Sequence, residues 1–581
     1  MPKTIKRILY AEANYESIIK ENGYLVDKTE YIARLENVKN PIFLRPRRFG
    51  KSLFCSMLEH YYSIRQKNQF DELFDNTFIG SNPTPFRNSC LVLHLDFSIV
   101  ETGGLIEIQK SFNHVCNLRL KTLVRTARAY FKDQVSVNEG ESAASNLQSI
   151  LDCIIMENMP PLFVIIDEYD NFANQLIMNH NDLVYHKVTE DGGFLKTFFK
   201  TLKEGRQKRA IKNIFITGVL PITIDELASA YNIGTFITLA PKFESMLGFT
   251  QAEVDALLDE IYLDYKIDSS TRPTVNHLIK NQYDGYRFTQ ESRESLYNST
   301  ILLYFLNWFC EYKTIPRHLT DLNLKTDISW VKRLCGANPD NAKTFVTQLT
   351  LHNTVEYDDV LLTSRFNVSQ FFKKGFFAIS FYYLGMLTRK DPFTLKLPNL
   401  NMRQIFVEYF NELHHIDVST KYQKIMKQFL KDLDMKNLFA GYWELYISQL
   451  PEAIFQQLNE NFYRTTFYEI CSRYLSNWFT FNVERSYPKG RSDLEFMGKY
   501  HESYAGIRMV IEFKYYSNTQ FLKFKCSLGD FQLQEGDTEQ INGYIEGLMQ
   551  EYSEAKISRY VIYCVGNIGF KVFDLNQDIS C

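Results

Sequence analysis

Between residues 41 and about 245 the chain alternates short apolar runs with longer stretches of helical period. Pro41–Leu44, Leu91–Phe97, Leu162–Ile166 and Asn213–Thr217 are such runs, each bounded by turn or polar residues. Strands buried on both faces read this way, so the pattern predicts a parallel α/β sheet. From about 246 to 410 the period turns helical, with Phe249–Tyr265, Ser295–Tyr312 and Asn341–Leu351 as candidate helices of a lid-like region. Within it, Gly375–Arg389 followed by Lys396–Pro398 has the helix-then-hairpin order of a winged helix. After about 411 a second α/β unit is expected: helix Asn461–Phe479, strands Phe481–Ser486, Ser492–Phe496 and Arg508–Lys514, helix Asp537–Glu554 and strand Ser558–Val565. In its second helix Ile541, Tyr544, Ile545, Leu548, Met549 and Tyr552 recur on one apolar face. Three domains follow: 1–245, 246–410 and 411–581.

Composition narrows the function classes. A chain of 581 residues is too long for one hydrophobic core, and 45% hydrophobic with 15% aromatic residues suits packed cores rather than disorder. The formal net charge of −3 supplies no overall field toward nucleic acid or an anionic membrane, so any polyanion contact must be local. The ten cysteines are scattered, with no CxxC and no Cys/His grouping at metal spacing. They read as reduced thiols, and no structural zinc site is expected. Residues 1–14 lack an apolar core, so no signal peptide is expected, and the longest apolar stretch, Phe376–Leu387, is too short to cross a membrane. An intracellular protein, cytoplasmic or nuclear, with no membrane partner is the expectation. A homo-oligomer remains open.

Two constellations carry chemistry. The first is Pro41-Ile-Phe-Leu-Arg-Pro-Arg-Arg-Phe-Gly-Lys-Ser-Leu53, a strand, a Gly50-Lys51-Ser52 loop and an amphipathic helix. That context is what a P-loop demands: Gly50 admits phosphate close to the backbone, Lys51 reaches the β/γ-phosphates and Ser52 holds Mg²⁺. The first glycine of the usual motif is replaced by Arg45, and Arg47 and Arg48 also line the loop as candidate phosphate contacts. Further on, Leu162-Phe-Val-Ile-Ile-Asp-Glu168 ends a strand in two acids, a Walker B arrangement. Asp167 would support Mg²⁺, and Glu168 would orient the water that attacks the γ-phosphate. Thr217, at the end of a third strand, is a candidate γ-phosphate sensor.

The second constellation pairs Gly490-Arg-Ser-Asp493 with Val510-Ile-Glu-Phe-Lys514 on two strands joined by a short loop. Alternation along a strand puts Glu512 and Lys514 on one face. With Asp493 opposite, two carboxylates and an ammonium converge, the set needed to hold a hard cation and hydrolyse a phosphodiester, with the Phe513 carbonyl as a further ligand. Flanking Met509, Val510, Ile511 and Phe513 are too apolar for an exposed strand. From Arg485 to Lys525 eight Lys/Arg face four Asp/Glu, a local basic surface.

These residues resemble the AAA-ATPase-like proteins that carry a C-terminal nuclease domain of the PD-(D/E)XK superfamily. The matching strings are Tyr24-Leu-Val-Asp-Lys-Thr29, Leu44-Arg-Pro-Arg-Arg-Phe-Gly-Lys-Ser52, His94-Leu-Asp-Phe-Ser98, Ile165-Ile-Asp-Glu-Tyr-Asp170, Phe215-Ile-Thr-Gly-Val219, Tyr283-Asp-Gly-Tyr-Arg-Phe288 and the D-x(18)-E-x-K spacing from Asp493. The resemblance implies a P-loop NTPase-like parallel-sheet domain, a mostly helical middle and a C-terminal restriction-endonuclease-like α/β domain. It accounts for Arg45, since that family's loop lacks the first glycine. It implies ATP and Mg²⁺, with Mn²⁺ an alternative at the nuclease site, and nucleic acid as partner, DNA ahead of RNA. It adds Glu469 as a candidate metal contact and Gln540 as a candidate contact to the phosphate or the metal shell; Arg491 is a candidate phosphate contact. Asp27, Lys28, Asp96 and Tyr286 match its motifs without a derivable chemical role. The expected function is an ATP-controlled, metal-dependent nuclease; the alternative is a nucleotide-switched scaffold whose nuclease-like domain is inactive.

Overall fold

A computed structural model describes residues 5–178, 182–189, 193–221, 231–320, 325–337, 339–363, 367–487, 489–499, 503–551 and 555–576. The chain divides into two compact units. One comprises Met1–Asp268, Gly285–Thr314 and Glu356–Leu395; the other comprises Ser269–Asp284, Ile315–Val355 and Lys396–Cys581. The helical middle is thus apportioned between them. Among the described residues no helix is long and apolar enough to cross a membrane.

The first unit is built on β1 (Pro41–Leu44), β2 (Leu91–Asp96), β3 (Leu162–Asp167), β4 (Ile211–Gly218) and β5 (Thr235–Phe236). They form a parallel sheet in the order β2-β3-β4-β1-β5. β1 and β3 are buried along their whole length, as apolar runs in a two-sided sheet must be. β4 lies between them, so the loop after β1 and the acids ending β3 are two strands apart yet open on the same edge. Helix α1 (Lys51–Tyr62) follows β1 and buries Phe54, Met57, Leu58 and Tyr61, with Phe54 packed on Phe215 of β4 at 5.9 Å between ring centroids.

In the helical middle, Gln251–Tyr265 opens on a capping box between Thr250 and Glu253, and Ser299–Tyr312 is capped by Asn298. The winged-helix stretch keeps its element order with shifted bounds: helix Phe377–Tyr383, then paired strands Thr388–Asp391 and Thr394–Lys396. Gly385, at φ +79°, ends the helix before Arg389, and a side chain there would strike Pro46 of the P-loop at 2.4 Å.

The second unit carries a mixed sheet of β6 (Phe479–Tyr487), β7 (Gly490–Gly498), β8 (Ile507–Tyr516), β9 (Lys556–Val565) and β10 (Gly569–Asp574). Their spatial order follows the sequence; β8 and β9 are parallel and the other pairs antiparallel. Helix α2 (Glu460–Leu475) lies on one face, where Phe467 meets Phe496 and Phe513. It stops at Leu475, short of the predicted Phe479, which instead opens β6. Helix α3 (Glu535–Glu551) covers the opposite face, where Ile541, Ile545 and Leu548 pack with Val510, Val561, Tyr563 and Val565. Met549, predicted to join that stripe, is 51% exposed, and Tyr552 lies outside the described residues.

Leu548→Ala is expected to lower the unfolding free energy by about 2–5 kcal/mol, because it leaves a cavity under α3. Met549→Ala is expected to change it by less than about 0.5 kcal/mol. Denaturant midpoints at unchanged slope check both.

Candidate functional site

The loop between β1 and α1 is strained at two positions. Arg48 takes φ +69° and Gly50 φ +90°, and α1 begins without any side-chain cap, so its first amides are left for another acceptor. Lys51 is buried, and its Nζ donates to the carbonyls of Arg45 and Pro46 at 3.2 and 3.1 Å. An ammonium resting on two loop carbonyls is one that a phosphate oxygen can draw off. Ser52 hydrogen-bonds the Asp167 carboxylate, joining the two sequence motifs across β4. Burial raises the Asp167 pKa, only partly offset by Ser52, and Lys51 is the nearby cation. Asp167 Oδ1 also accepts from the Glu168 amide at 2.9 Å, and Glu168 stands half-buried at φ +51°. This donor set of a hydroxyl, a desolvated carboxylate and an adjacent lysine fits a magnesium-bound nucleotide phosphate.

Two predicted members of this site serve the fold instead. Arg45, expected to line the loop, is wholly buried beneath it. Its guanidinium donates to the carbonyls of Leu44, Thr238 and Glu244 and lies over the Phe43 and Phe288 rings. The cation that replaces the glycine therefore points into the core. Thr217 is fully buried within β4, which runs on to Gly218, and its hydroxyl donates to the Phe43 carbonyl at 2.8 Å, so it offers no free donor to a phosphate. Arg47 and Arg48 are half-buried, and their carbonyls accept from Asn298, Ser299 and Thr300. Family-motif residues without a derived role prove to be packing groups. Asp27 accepts from the amides of Thr29 and Phe78, Lys28 pairs with Glu253, Asp96 caps Ser98, and Tyr286 packs edge-on against Phe49.

In the second unit β7 and β8 pair as Leu494↔Ile511, which sets Asp493 opposite Glu512 as the next step of the same register. The sheet breaks at Asp493. On the β6 side Ser492↔Arg485 and Leu494↔Val483 pair regularly around Glu484, which sits at φ +53°. On the β8 side the Phe513 amide donates to Asp493 Oδ2 at 2.8 Å. A side-chain carboxylate thus takes a donor that a ladder carbonyl would otherwise use, and the strands open there. Asp493 Oδ1 accepts from Arg464 at 2.7 Å, and Arg464 also holds Glu484 at 3.0 Å.

Glu512 Oε1 accepts from Lys514 Nζ at 2.9 Å and from Gln540 Nε2 at 2.5 Å, while Gln540 Oε1 accepts from Lys514 at 2.9 Å. The three side chains close a ring. Burial pulls the Lys514 pKa down, but Glu512, Glu460 and Asp537 outweigh it and hold the ammonium above its ordinary value. Arg491, largely exposed, reaches Glu484 at 3.4 Å. Two buried carboxylates placed at a break in the sheet, beside the Lys514 ammonium, have the chemistry to hold a hard divalent cation.

Glu469 does not join them. It is buried against Arg473, with Oε1 accepting at 2.6 Å, and burial raises its pKa despite that partner. The acid of α2 that faces the site is Glu460, nine residues earlier. Burial raises its pKa first and Asp493 next, while Lys514 and Arg464 oppose. Nine residues are two and a half helical turns, so these two acids lie on opposite faces. The phase is set by Asn459, whose side chain caps the helix by accepting from the Phe462 amide at 3.0 Å. Asp537, in the first turn of α3 and bonded by the Tyr563 hydroxyl, lies 3.7 Å from Lys514. Sequence reasoning missed Glu460, Arg464 and Asp537; the Asn-Glu helix start at 459–460 was the available signal for the first.

Residues 10–228 match the family model of predicted AAA-ATPases, and residues 458–573 match that of the PD-(D/E)XK nuclease superfamily. The chain therefore carries an AAA-ATPase-like domain and, C-terminal to it, a nuclease-superfamily domain. No curated protein matches it in a sequence comparison.

Arg45→Ala is expected to destabilise the first unit by about 3–5 kcal/mol, because three buried carbonyls and Glu244 lose their cation. Arg47→Ala, at a half-buried position, is expected to cost far less. Thermal and denaturant melting of the two variants compares them.

Proposed function

We propose that the protein is an ATP-controlled nuclease that requires a divalent metal and cleaves phosphodiester bonds, with DNA as the first substrate to try. What supports the reading is the register that brings Asp493 level with Glu512, together with the ring of Glu512, Lys514 and Gln540. Asp493, Glu512 and the Phe513 carbonyl would hold Mg²⁺ or Mn²⁺. When bound, such an ion polarises a phosphoryl oxygen and lowers the pKa of water. The chain's own groups supply the rest. Lys514, kept protonated by three acids, presents positive charge to an oxygen that gains negative charge as the ester breaks. Gln540 fixes the Glu512–Lys514 geometry, and Arg464 holds Asp493 in place by a 2.7 Å hydrogen bond. Arg491 would meet the backbone of the substrate.

In the other domain, Lys51 would exchange the Arg45 and Pro46 carbonyls for phosphate oxygens, and Ser52 with Asp167 would hold Mg²⁺. Glu168 would orient water for ATP hydrolysis. A second reading has its own observation: Arg464 and Lys514 already neutralise the two acids internally, as a domain that only grips nucleic acid would permit.

Cleavage of single- and double-stranded substrates with Mg²⁺ or Mn²⁺, with and without ATP, separates the readings; absence of scission under every metal favours the scaffold. Asp493→Ala is expected to abolish scission, and Lys514→Ala to slow it by about 10²–10⁴-fold. Glu460→Gln is expected to weaken metal use by about 10–100-fold, while Glu469→Gln leaves it unchanged. Lys51→Ala is expected to lose ATP binding in a direct titration while the protein stays folded.

A further inference from the structure

α1 carries more chemistry on its inner stripe than a nucleotide needs. Ser52, Cys55 and Glu59 recur at three and four residues, so they share one helical face. Cys55 is fully buried, and its thiol faces β2 and β3. A ring nitrogen of His94, the Cys55 Sγ and an Asp167 carboxylate oxygen all lie within 4.8 Å of one another. Glu59 Oε2 is 2.8 Å from His94 Nδ1. A carboxylate accepts at that contact, so Nδ1 is the nitrogen that donates, and Nε2, on the far side of the ring, is buried with no hydrogen-bond partner.

A thiol, an imidazole with its second nitrogen oriented by a carboxylate, and an acid form a soft-metal ligand set. Magnesium has no use for sulfur or imidazole, so the nucleotide site does not explain Cys55 or His94. Ligands around tetrahedral zinc lie roughly 3.3–3.8 Å apart, given bonds of about 2.0–2.3 Å, so a contraction of about 1 Å would close the cluster. Burial first, then Asp167, with Asp96 and Glu59 adding and Lys51 opposing, holds the Cys55 thiol well above its ordinary range. A divalent cation would reverse that balance.

We propose that Cys55, His94 and Asp167 form a three-ligand site for a zinc-class transition metal, with a fourth position left for water. Binding releases the Cys55 proton to solvent and engages Asp167, so the ion competes with the Mg²⁺ that Ser52 and Asp167 would share. Zinc-class metal is then an antagonist of nucleotide binding.

The test uses the full chain, stripped of metal and free of nucleotide, titrated with Co²⁺. One equivalent is expected to produce a thiolate-to-cobalt charge-transfer band with tetrahedral visible bands, displaced by Zn²⁺. An oxygen-ligated ion at the nuclease site gives no such charge-transfer band. Cys55→Ser is expected to abolish it and His94→Ala to weaken Co²⁺ affinity at this site at least tenfold, near-UV circular dichroism confirming the fold of each. No charge-transfer band in the unaltered chain, or one that persists in Cys55→Ser, overturns the proposal. X-ray absorption of the unaltered chain with one zinc equivalent needs no variant: one sulfur in the shell supports the site, and a sulfur-free shell refutes it. In a separate titration Zn²⁺ is expected to raise the Mg²⁺ needed for ATP binding, and Cys55→Ser to lose that effect; an equal effect in both proteins refutes the antagonism. The cobalt and absorption readings involve no ATP, so their failure and a failure of the ATP reading are distinct results.

Discussion

An ionised carboxylate inside a protein costs several kcal/mol unless donors or cations meet it, and both units are arranged around that constraint. Asp167, Asp493 and Glu512 are all almost fully buried. In the first unit the answer comes from the helix after β1, whose Ser52 reaches Asp167 past an intervening strand. In the second it comes from three directions: Arg464 from α2, the Phe513 amide from the neighbouring strand, and Gln540 from α3 through Lys514 and Glu512. Elements far apart in the chain converge because each supplies a hydrogen bond or a counter-charge. The same partners hold the carboxylates in fixed orientations, a geometry a cation could use.

Much of this was legible in the residues. Apolar runs located eight of the strands β1–β10 to within two residues but gave no sign of β5 or β10, and loop and strand-end motifs located both acid groups. Two of the failures depend on where an element starts or stops; the others depend on what folds together in space. Glu469 and Glu460 both sit on α2, and only the cap at Asn459 decides which faces the sheet. Thr217 looked like a strand end, but β4 continues one residue further and turns its hydroxyl inward. Arg45 looked like a phosphate contact, and no periodicity in a four-residue strand shows that a cation after it will fold under the loop. Cys55, His94 and Asp167 come from three elements, and no sequence spacing relates them.

The two sites also differ in how they are held. The ring of Glu512, Lys514 and Gln540 joins a strand to the start of a helix, and Asp493 sits where the ladder is interrupted. The nucleotide loop has strained backbone at Arg48 and Gly50 and a cation fixed below it.

That fixed underside decides which way the loop can yield. Pinned from beneath by Arg45, it has its upper carbonyls, those of Arg47 and Arg48, tied to Asn298, Ser299 and Thr300 at the start of the helix Ser299–Tyr312. Any shift of that backbone must either carry those hydrogen bonds along or break them, so loop and helix start answer to each other.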